Sequence, residues 1–373
     1  MPRKTTTNTK KSFEVHVLGA GKGESIILGL PGNRWGVVDC YAPTLNDDTT
    51  NPTLKFLSER QVSELEFLCL THPHDDHYRG MSQLLQRFKV KYFWRFPTLS
   101  VRDLKNLARY LVSEADQTGV PDQADNANEF VQIMTLVQQR RDANQLKQKT
   151  VTGNQQLYPT PFDKDADFQI WSFAPHGNQV QDYERALASS FTEQGQFRPH
   201  PPHVSHNSIS IGLLVVFGKT RVVLGGDVEQ AAWRDICPEF TEDHFHVHAV
   251  KVPHHGSDTG FIADLWEKRL GKNKPIAVIA PYRRFQLPKA SVLSHIGKYA
   301  AKVILTCRAE DGSRTVSTSR NLKSRMYLRR ALKARAPAPD DRCGCCSLTF
   351  DDNGHCTTNC TRPAYEYAIK KKR

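Results

Sequence analysis

The sequence predicts an α/β fold, and three observations predict it. Apolar runs of strand length recur along the chain, at 65–70, 209–217 and 276–280 among others. The run Leu65-Glu66-Phe67-Leu68-Cys69-Leu70 passes through a polar loop into Gly80-Met81-Ser82-Gln83-Leu84-Leu85, the opening of a helix. Between Val101 and Lys149 the period becomes helical, with Leu104, Leu107, Ala108 and Leu111 followed by Phe130, Ile133, Met134 and Val137.

In chain order, Met1 to Lys11 is a basic segment expected to be disordered. Phe13–Val17, Ile26–Leu28 and Trp35–Cys40 then read as a hairpin-rich β start. The glycine-rich stretch Gly19 to Ser25 lacks the Lys-Ser/Thr ending of a phosphate-cradling loop and leads into a strand, so it reads as a turn. After the run at 65–70 comes a helical insertion at about 100–150. A strand at Phe168–Phe173 precedes a polar loop ending Arg198-Pro199-His200-Pro201-Pro202. The strand Ile209–Phe217 turns through Gly218-Lys219-Thr220 into Arg221–Leu224, and strands at 248–252 and 276–280 follow. A catalytic domain over 12–310 is expected, with a basic, cysteine-rich extension over 311–373.

Charge narrows the partners. The chain of 373 residues carries a formal charge of +12, and no acid separates Asp311 from Asp340 while Arg314, Arg320, Lys323, Arg325, Arg329, Arg330, Lys333 and Arg335 fall between them. Such a stripe attracts polyanions, nucleic acid first among them, although a solvated tail has the same composition. The apolar runs are too short to span a bilayer and no signal-like segment follows the basic N-terminus, so a cytoplasmic protein without a membrane partner is expected. Of nine cysteines, Cys40, Cys69, Cys237 and Cys307 are scattered and imply no disulfide framework. Cys343, Cys345, Cys346, Cys356 and Cys360 crowd the C-terminal region after the Ala336-Pro337-Ala338-Pro339 hinge, either as a small structural metal site or as a strand-turn-strand with incidental thiols.

The chemistry is concentrated in Leu70-Thr71-His72-Pro73-His74-Asp75-Asp76-His77. Imidazole and carboxylate are natural zinc ligands, and a tight strand-to-helix loop aims alternate side chains at two metal centres. Further along, Gly225-Gly226-Asp227 ends one apolar strand and His254-His255-Gly256-Ser257 ends the next. On these residues, and on the Gly21-Lys22-Gly23-Glu24-Ser25 turn, the chain resembles the metallo-β-lactamase-fold hydrolases. Within them it is most similar to the metallo-β-lactamase domain of the competence family of DNA-uptake proteins.

That resemblance, which covers about Phe13 to Leu305 outside the insertion, implies an αββα sandwich of two mixed β-sheets with outer helices. It also implies two Zn2+ ions, Mn2+ being the alternative. One zinc would take His72, His74 and His206, with His203 in reserve for His206. The other would take Asp76, His77 and His254, with Asp227 bridging and Asp39 supporting the loop from behind. His254 comes first off its strand, leaving His255 near the leaving group; the reverse assignment stays open. Asp76, Asp227 and His255 are the expected catalytic residues, around a water whose pKa two metals bring toward roughly 7. Competence-type members continue with an Asn and a Gly-His-Pro element. Here Pro281-Tyr282-Arg283-Arg284-Phe285 stands instead, and Arg283, Arg284 and Lys289 would offer cations to a phosphodiester.

The expected function is a metal-dependent phosphodiesterase or nuclease acting on DNA or RNA. The alternatives are a hydrolase of a small ester, thioester or lactone, and an effector subunit of a bacterial phage-defence assembly. In the last, a protein partner would bind the helical insertion or the C-terminal extension.

Overall fold

The computed structural model describes residues 12–98, 101–118, 121–159, 167–239, 246–309 and 343–368. The N-terminal basic segment, the cationic run from Arg314 to Arg335, the Pro-Ala hinge and Lys370 to Arg373 lie outside the described residues.

The first half of the chain contributes β1 (Ser12–Gly19), β2 (Glu24–Leu30), β3 (Arg34–Val38), α1 (Pro52–Glu59), β4 (Glu64–Leu70), α2 (Asp75–Tyr78), α3 (Met81–Arg87), β5 (Lys89–Arg95), α4 (Val101–Thr118), α5 (Pro121–Asp142) and β6 (Lys147–Thr150). The second contributes β7 (Gln155–Tyr158), β8 (Phe168–Ala174), α6 (Gly177–Ser189), β9 (Gly212–Phe217), β10 (Thr220–Leu224), α7 (Gln230–Glu239), β11 (Ala249–Lys251), α8 (Ala263–Lys268), β12 (Ile276–Ile279), α9 (Ala290–Tyr299) and β13 (Lys302–Leu305). Three strands close the chain: β14 (Gly344–Asp351), β15 (Cys356–Thr361) and β16 (Tyr365–Glu366).

These strands form two eight-stranded sheets, ordered β15-β14-β1-β2-β3-β4-β5-β6 and β16-β13-β12-β11-β10-β9-β8-β7. Each is mixed. In the first, β1, β2 and β3 are antiparallel and β3 to β6 are parallel. In the second, β7 to β10 are antiparallel and β10 to β13 parallel. The sheets pack face to face: the Phe13 ring lies 5.1 Å from Phe168 and 6.4 Å from Phe217. The expected αββα sandwich is therefore the architecture observed.

The unalternating apolar runs follow from burial on both faces of a strand. In β10, Val222 and Leu224 point into the core between the sheets, and Val223 points into a second core with Trp233 of α7, Trp266 of α8 and Ile296 of α9. The parallel strands are thus covered by helices, and their carboxyl ends open together at one edge of the sandwich, where α/β folds bind ligands.

The helical insertion is tied to that edge. Glu129 of α5 accepts hydrogen bonds from Gly80 N (3.0 Å), Ser82 N (3.0 Å) and Ser82 Oγ (2.7 Å), satisfying backbone donors at the start of α3. Asn126 of α5 donates to Asp75 Oδ2 (2.6 Å) and accepts from Arg79.

The described part of the expected extension is built into both sheets. β14 pairs along the whole of β1, with Phe350 opposite Phe13, Leu348 opposite Val15 and Cys346 opposite Val17, and β16 pairs with β13 of the other sheet. The physical reason is period two: Cys346, Leu348 and Phe350 alternate as an apolar face and complete the core where β1 would otherwise be an edge. The thiols thus sit in a strand-turn-strand, Cys346 directly opposite Cys360. Among the described residues, they are not among the groups close enough to hold an ion. No helix of the described residues is long and apolar enough to cross a membrane.

Candidate metal centre

The loop after β4 is organised by one buried carboxylate. Asp39, just past β3 with a left-handed backbone (φ 59°), accepts from Thr71 N (2.8 Å), Thr71 Oγ1 (2.7 Å) and His77 Nδ1 (2.7 Å). This orients His77 and turns its Nε2 toward Asp227 Oδ1, 3.4 Å away. His74 precedes α2, and the first turn of that helix presents Asp76 and His77 together. Gly23 makes room for the loop, since a Cβ there would lie 2.6 Å from the Asp76 carbonyl.

Asp227 enters from the opposite sheet. Gly226 before it is left-handed (φ 51°), and a Cβ at Gly226 would lie 2.6 Å from the Ile211 carbonyl, so glycine is required to swing the aspartate inward. Ser210 Oγ accepts from Asp227 N (2.9 Å) and fixes the turn. The carboxylate then stands among imidazoles: 3.9 Å from His72 Nε2, 3.4 Å from His77 Nε2, 3.8 Å from His254 Nε2 and 4.0 Å from His255 Nε2.

Three groups of side chains bring their ligand atoms within 4.8 Å of one another: His72, His74 and Asp227; Asp76, His77 and His255; and Glu24, His77 and Asp227. Asp227 Oδ1 and His77 Nε2 are buried without a well-formed hydrogen bond. Buried polar atoms are nearly always paired, so orphaned donor atoms facing each other suit a cation between them. The nitrogen and oxygen donor set fits Zn2+ or a neighbouring first-row ion.

The histidine pair after β11 exchanges the order given to it from sequence. Both residues have left-handed backbones, φ 47° at His254 and 52° at His255. The chain therefore turns sharply, leaving the first ring half-buried and sending the second inside. His255 is fully buried, with Nε2 3.0 Å from Asp76 Oδ2 and Nδ1 2.8 Å from the Ala280 carbonyl. His254, expected as the ligand with Asp76 and His77, instead lies on the rim, with Nδ1 bonded to Thr259 Oγ1 (2.9 Å) and Nε2 3.3 Å from Asn207 Nδ2. Being first off the strand does not decide which ring faces inward; the αL turn does.

His206 comes close without joining a tight group. Its Nδ1 is 2.9 Å from the Tyr183 hydroxyl, and its ring lies 5.1 Å from that of His74. His203 is exposed on the same side of the cleft. Of the three expected cations, Arg284 and Lys289 line the cleft. Arg283 turns away, its Nε donating to the Arg308 carbonyl (2.9 Å) while its side chain packs over Gly21.

Sequence reasoning missed Glu24 and Lys251. Both are buried and form an ion pair behind the site, where Glu24 also reaches His255 Nδ1 (3.4 Å) and His77 Nδ1 (3.9 Å). The available signal was a lysine inside the apolar strand Val250-Lys251-Val252, since a charge there demands a buried partner.

The electrostatics separate the rings. Burial and the neighbouring His77 hold the His72 pKa well below the imidazole range, whereas at His77 burial is outweighed by Asp227, Asp76 and Asp39 and the pKa is raised. Burial opposes charge on Asp227 as well, but His77, His254 and His255 keep its carboxyl well below the usual range. These shifts favour the anion at Asp227 and the neutral ring at His72. The main cavity here, about 580 Å³, is lined by Asp76, Asp227, His254, His255, Arg284 and Lys289 among others.

No protein-family model matches the chain, and no curated protein matches its sequence. Among solved structures, it is similar to the hydrolase AbOPH in the beta lactamase superfamily, at 13% identity over 61% of this chain and 56% of that one, TM-score 0.31. It thus spans little more than half of AbOPH. It is also similar to Zn(2+)-bound PqqB from Methylobacterium extorquens, at 12% identity over 76% of this chain and 96% of that one, TM-score 0.36. A third likeness is to a metallo-beta-lactamase motif mutant from Cronobacter sakazakii, at 11% identity over 87% and 96%, TM-score 0.34. Likenesses this distant carry no weight for residues, substrate or reaction.

Proposed function

We propose that the protein is a metal-dependent hydrolase and that its substrate is a phosphodiester of DNA or RNA. The observation that carries the hydrolase reading is the convergence of two ligand groups, His72-His74-Asp227 and Asp76-His77-His255, on a buried carboxylate with an unpartnered oxygen. Metal ions bound there supply Lewis acidity and lower the pKa of water toward neutrality.

The residues of the chain do the rest. Asp227 holds negative charge at the centre of the site. Asp39 fixes the His77 ring through Nδ1, and the Ala280 carbonyl fixes His255 in the same way, so His77 turns Nε2 toward Asp227 and His255 turns Nε2 toward Asp76. Glu24 and Lys251 neutralise each other behind these rings. We assign His254, on the rim and bonded to Thr259, to the leaving group rather than to the inner face.

The nucleic-acid reading draws support from Arg284 and Lys289 at the mouth and from the formal charge of +12. The test is metal analysis of the purified protein together with cleavage of single- and double-stranded DNA and RNA, with and without chelator. Chelator-sensitive cleavage that Asp227→Asn abolishes is expected. Hydrolysis confined to small esters, thioesters or lactones would replace the substrate assignment and keep the chemistry. A protein free of metal, inert on all of these substrates after metal addition, would refute both.

A further inference from the structure

We infer that the Tyr282–Lys289 loop is a binding subsite for a nucleobase flanking the scissile phosphodiester, with Phe285 as the stacking surface and Arg284 and Lys289 as the phosphate contacts; this rests on the phosphodiester reading above. Large apolar side chains of the described residues are almost all buried, and Phe285 at 55% exposure is the plainest exception. Its position is not incidental. The Tyr282 ring packs 5.3 Å from the ring of His255 and 5.2 Å from that of Phe285, so an aromatic series leads from the inner site to the mouth.

The loop is held in this form before anything binds. Tyr282 and Leu287 pair through two backbone hydrogen bonds, of 3.2 and 3.0 Å, closing the turn, and Gln286 takes a left-handed conformation (φ 55°). Arg283 N donates to the Gly21 carbonyl (2.9 Å) and Lys289 N to the Gly256 carbonyl (3.0 Å), which ties the loop to β1's turn and to the histidine turn. Arg283 is thus spent as an anchor. Arg284, whose guanidinium lies 5.6 Å from the Phe285 ring centre, and Lys289, whose ammonium donates to the Phe285 carbonyl (3.1 Å), both line the cleft. An exposed aromatic ring with one cation beside it and a second on its own carbonyl, held beside the candidate metal centre, combines the stacking surface and positive charge with which proteins hold single-stranded nucleic acid. Every base offers a π-face, so the subsite recognises an unpaired base without choosing its identity.

The test uses the full-length, metal-loaded protein and steady-state cleavage of an oligothymidylate beside an abasic phosphodiester oligomer of equal length. For Phe285→Ala, KM on oligothymidylate should rise roughly 5- to 150-fold, the loss expected for one stacked base. Phe285→Trp should restore it, and on the abasic oligomer the wild type and both variants should share one KM. Because Phe285 is exposed, its replacement leaves the core intact. Equal KM on oligothymidylate for wild type and Phe285→Ala overturns the stacking subsite alone. A loss shared by the abasic oligomer overturns it too, showing a general effect on the loop. Absence of cleavage of any nucleic acid by wild type overturns the phosphodiester reading, and the subsite with it.

Discussion

Asp39 and Asp227 occupy matching places in the two halves of the molecule, each just beyond the strand at which an antiparallel meander becomes parallel, β3 in one sheet and β10 in the other. Their surroundings are opposite. Asp39 accepts three hydrogen bonds, from Thr71 N, Thr71 Oγ1 and His77 Nδ1. Asp227 is ringed by four imidazoles, and one of its oxygens is left without a hydrogen bond. The same residue at the same kind of strand end is a fixed support in one half and a buried charge short of hydrogen bonds in the other. What separates them is how many donors the neighbouring loop returns: a satisfied carboxylate holds geometry, and an unsatisfied buried one is available to a cation.

The largest effect that would test this contrast is at Asp227. Asp227→Asn should remove bound metal and lower hydrolysis by more than the roughly 10- to 100-fold typical of a supporting residue, read by metal analysis and single-turnover cleavage. An Asp39→Asn variant that lost more than Asp227→Asn would break the distinction.

The histidine turn gives the next effect. His255→Ala should lose metal and activity nearly as severely as Asp227→Asn, with His254→Ala retaining metal and losing turnover. The reverse pattern of metal content would return the ligand role to His254.

The seam between the halves is the Glu24–Lys251 pair. Lys251→Met leaves Glu24 buried without its partner, and should destabilise folding by about 3 to 5 kcal/mol in chemical denaturation. Removing both charges, in Glu24→Gln with Lys251→Met, should recover part of that loss. An unchanged midpoint for the single variant would show that the pair is not needed to join the sheets.

Asp39→Asn should have the smallest effect of the four, a 10- to 100-fold fall in metal affinity of the order seen for ligand supports, with the fold retained by circular dichroism. Titration of the metal into chelated protein measures it.

How much of this was legible in the residues differs from place to place. The loop His72 to His77 declared itself because folding alone has no use for four ligand side chains in six positions. Strand-to-helix order, the helical insertion and the placing of Asp227 at a strand end were readable for similarly local reasons, namely periodicity and a glycine pair. Which of the His254 and His255 rings points inward was not, because a left-handed turn decides it and the sequence carries no sign of it. Arg283, Arg284 and Lys289 looked equivalent as cations in one loop, yet one of them is an anchor.

By itself the sequence determined the α/β class and the order of the strands that end in candidate ligand side chains, since these depend on local pattern and residue chemistry. Only the tertiary structure decided that Cys346, Leu348 and Phe350 complete the first sheet, that Glu24 meets Lys251, and that Asp227 is left short of hydrogen bonds while Asp39 is not. Each of those outcomes depends on a partner far away in the chain. Long-range pairing is settled by packing two sheets against each other, and no local pattern records it.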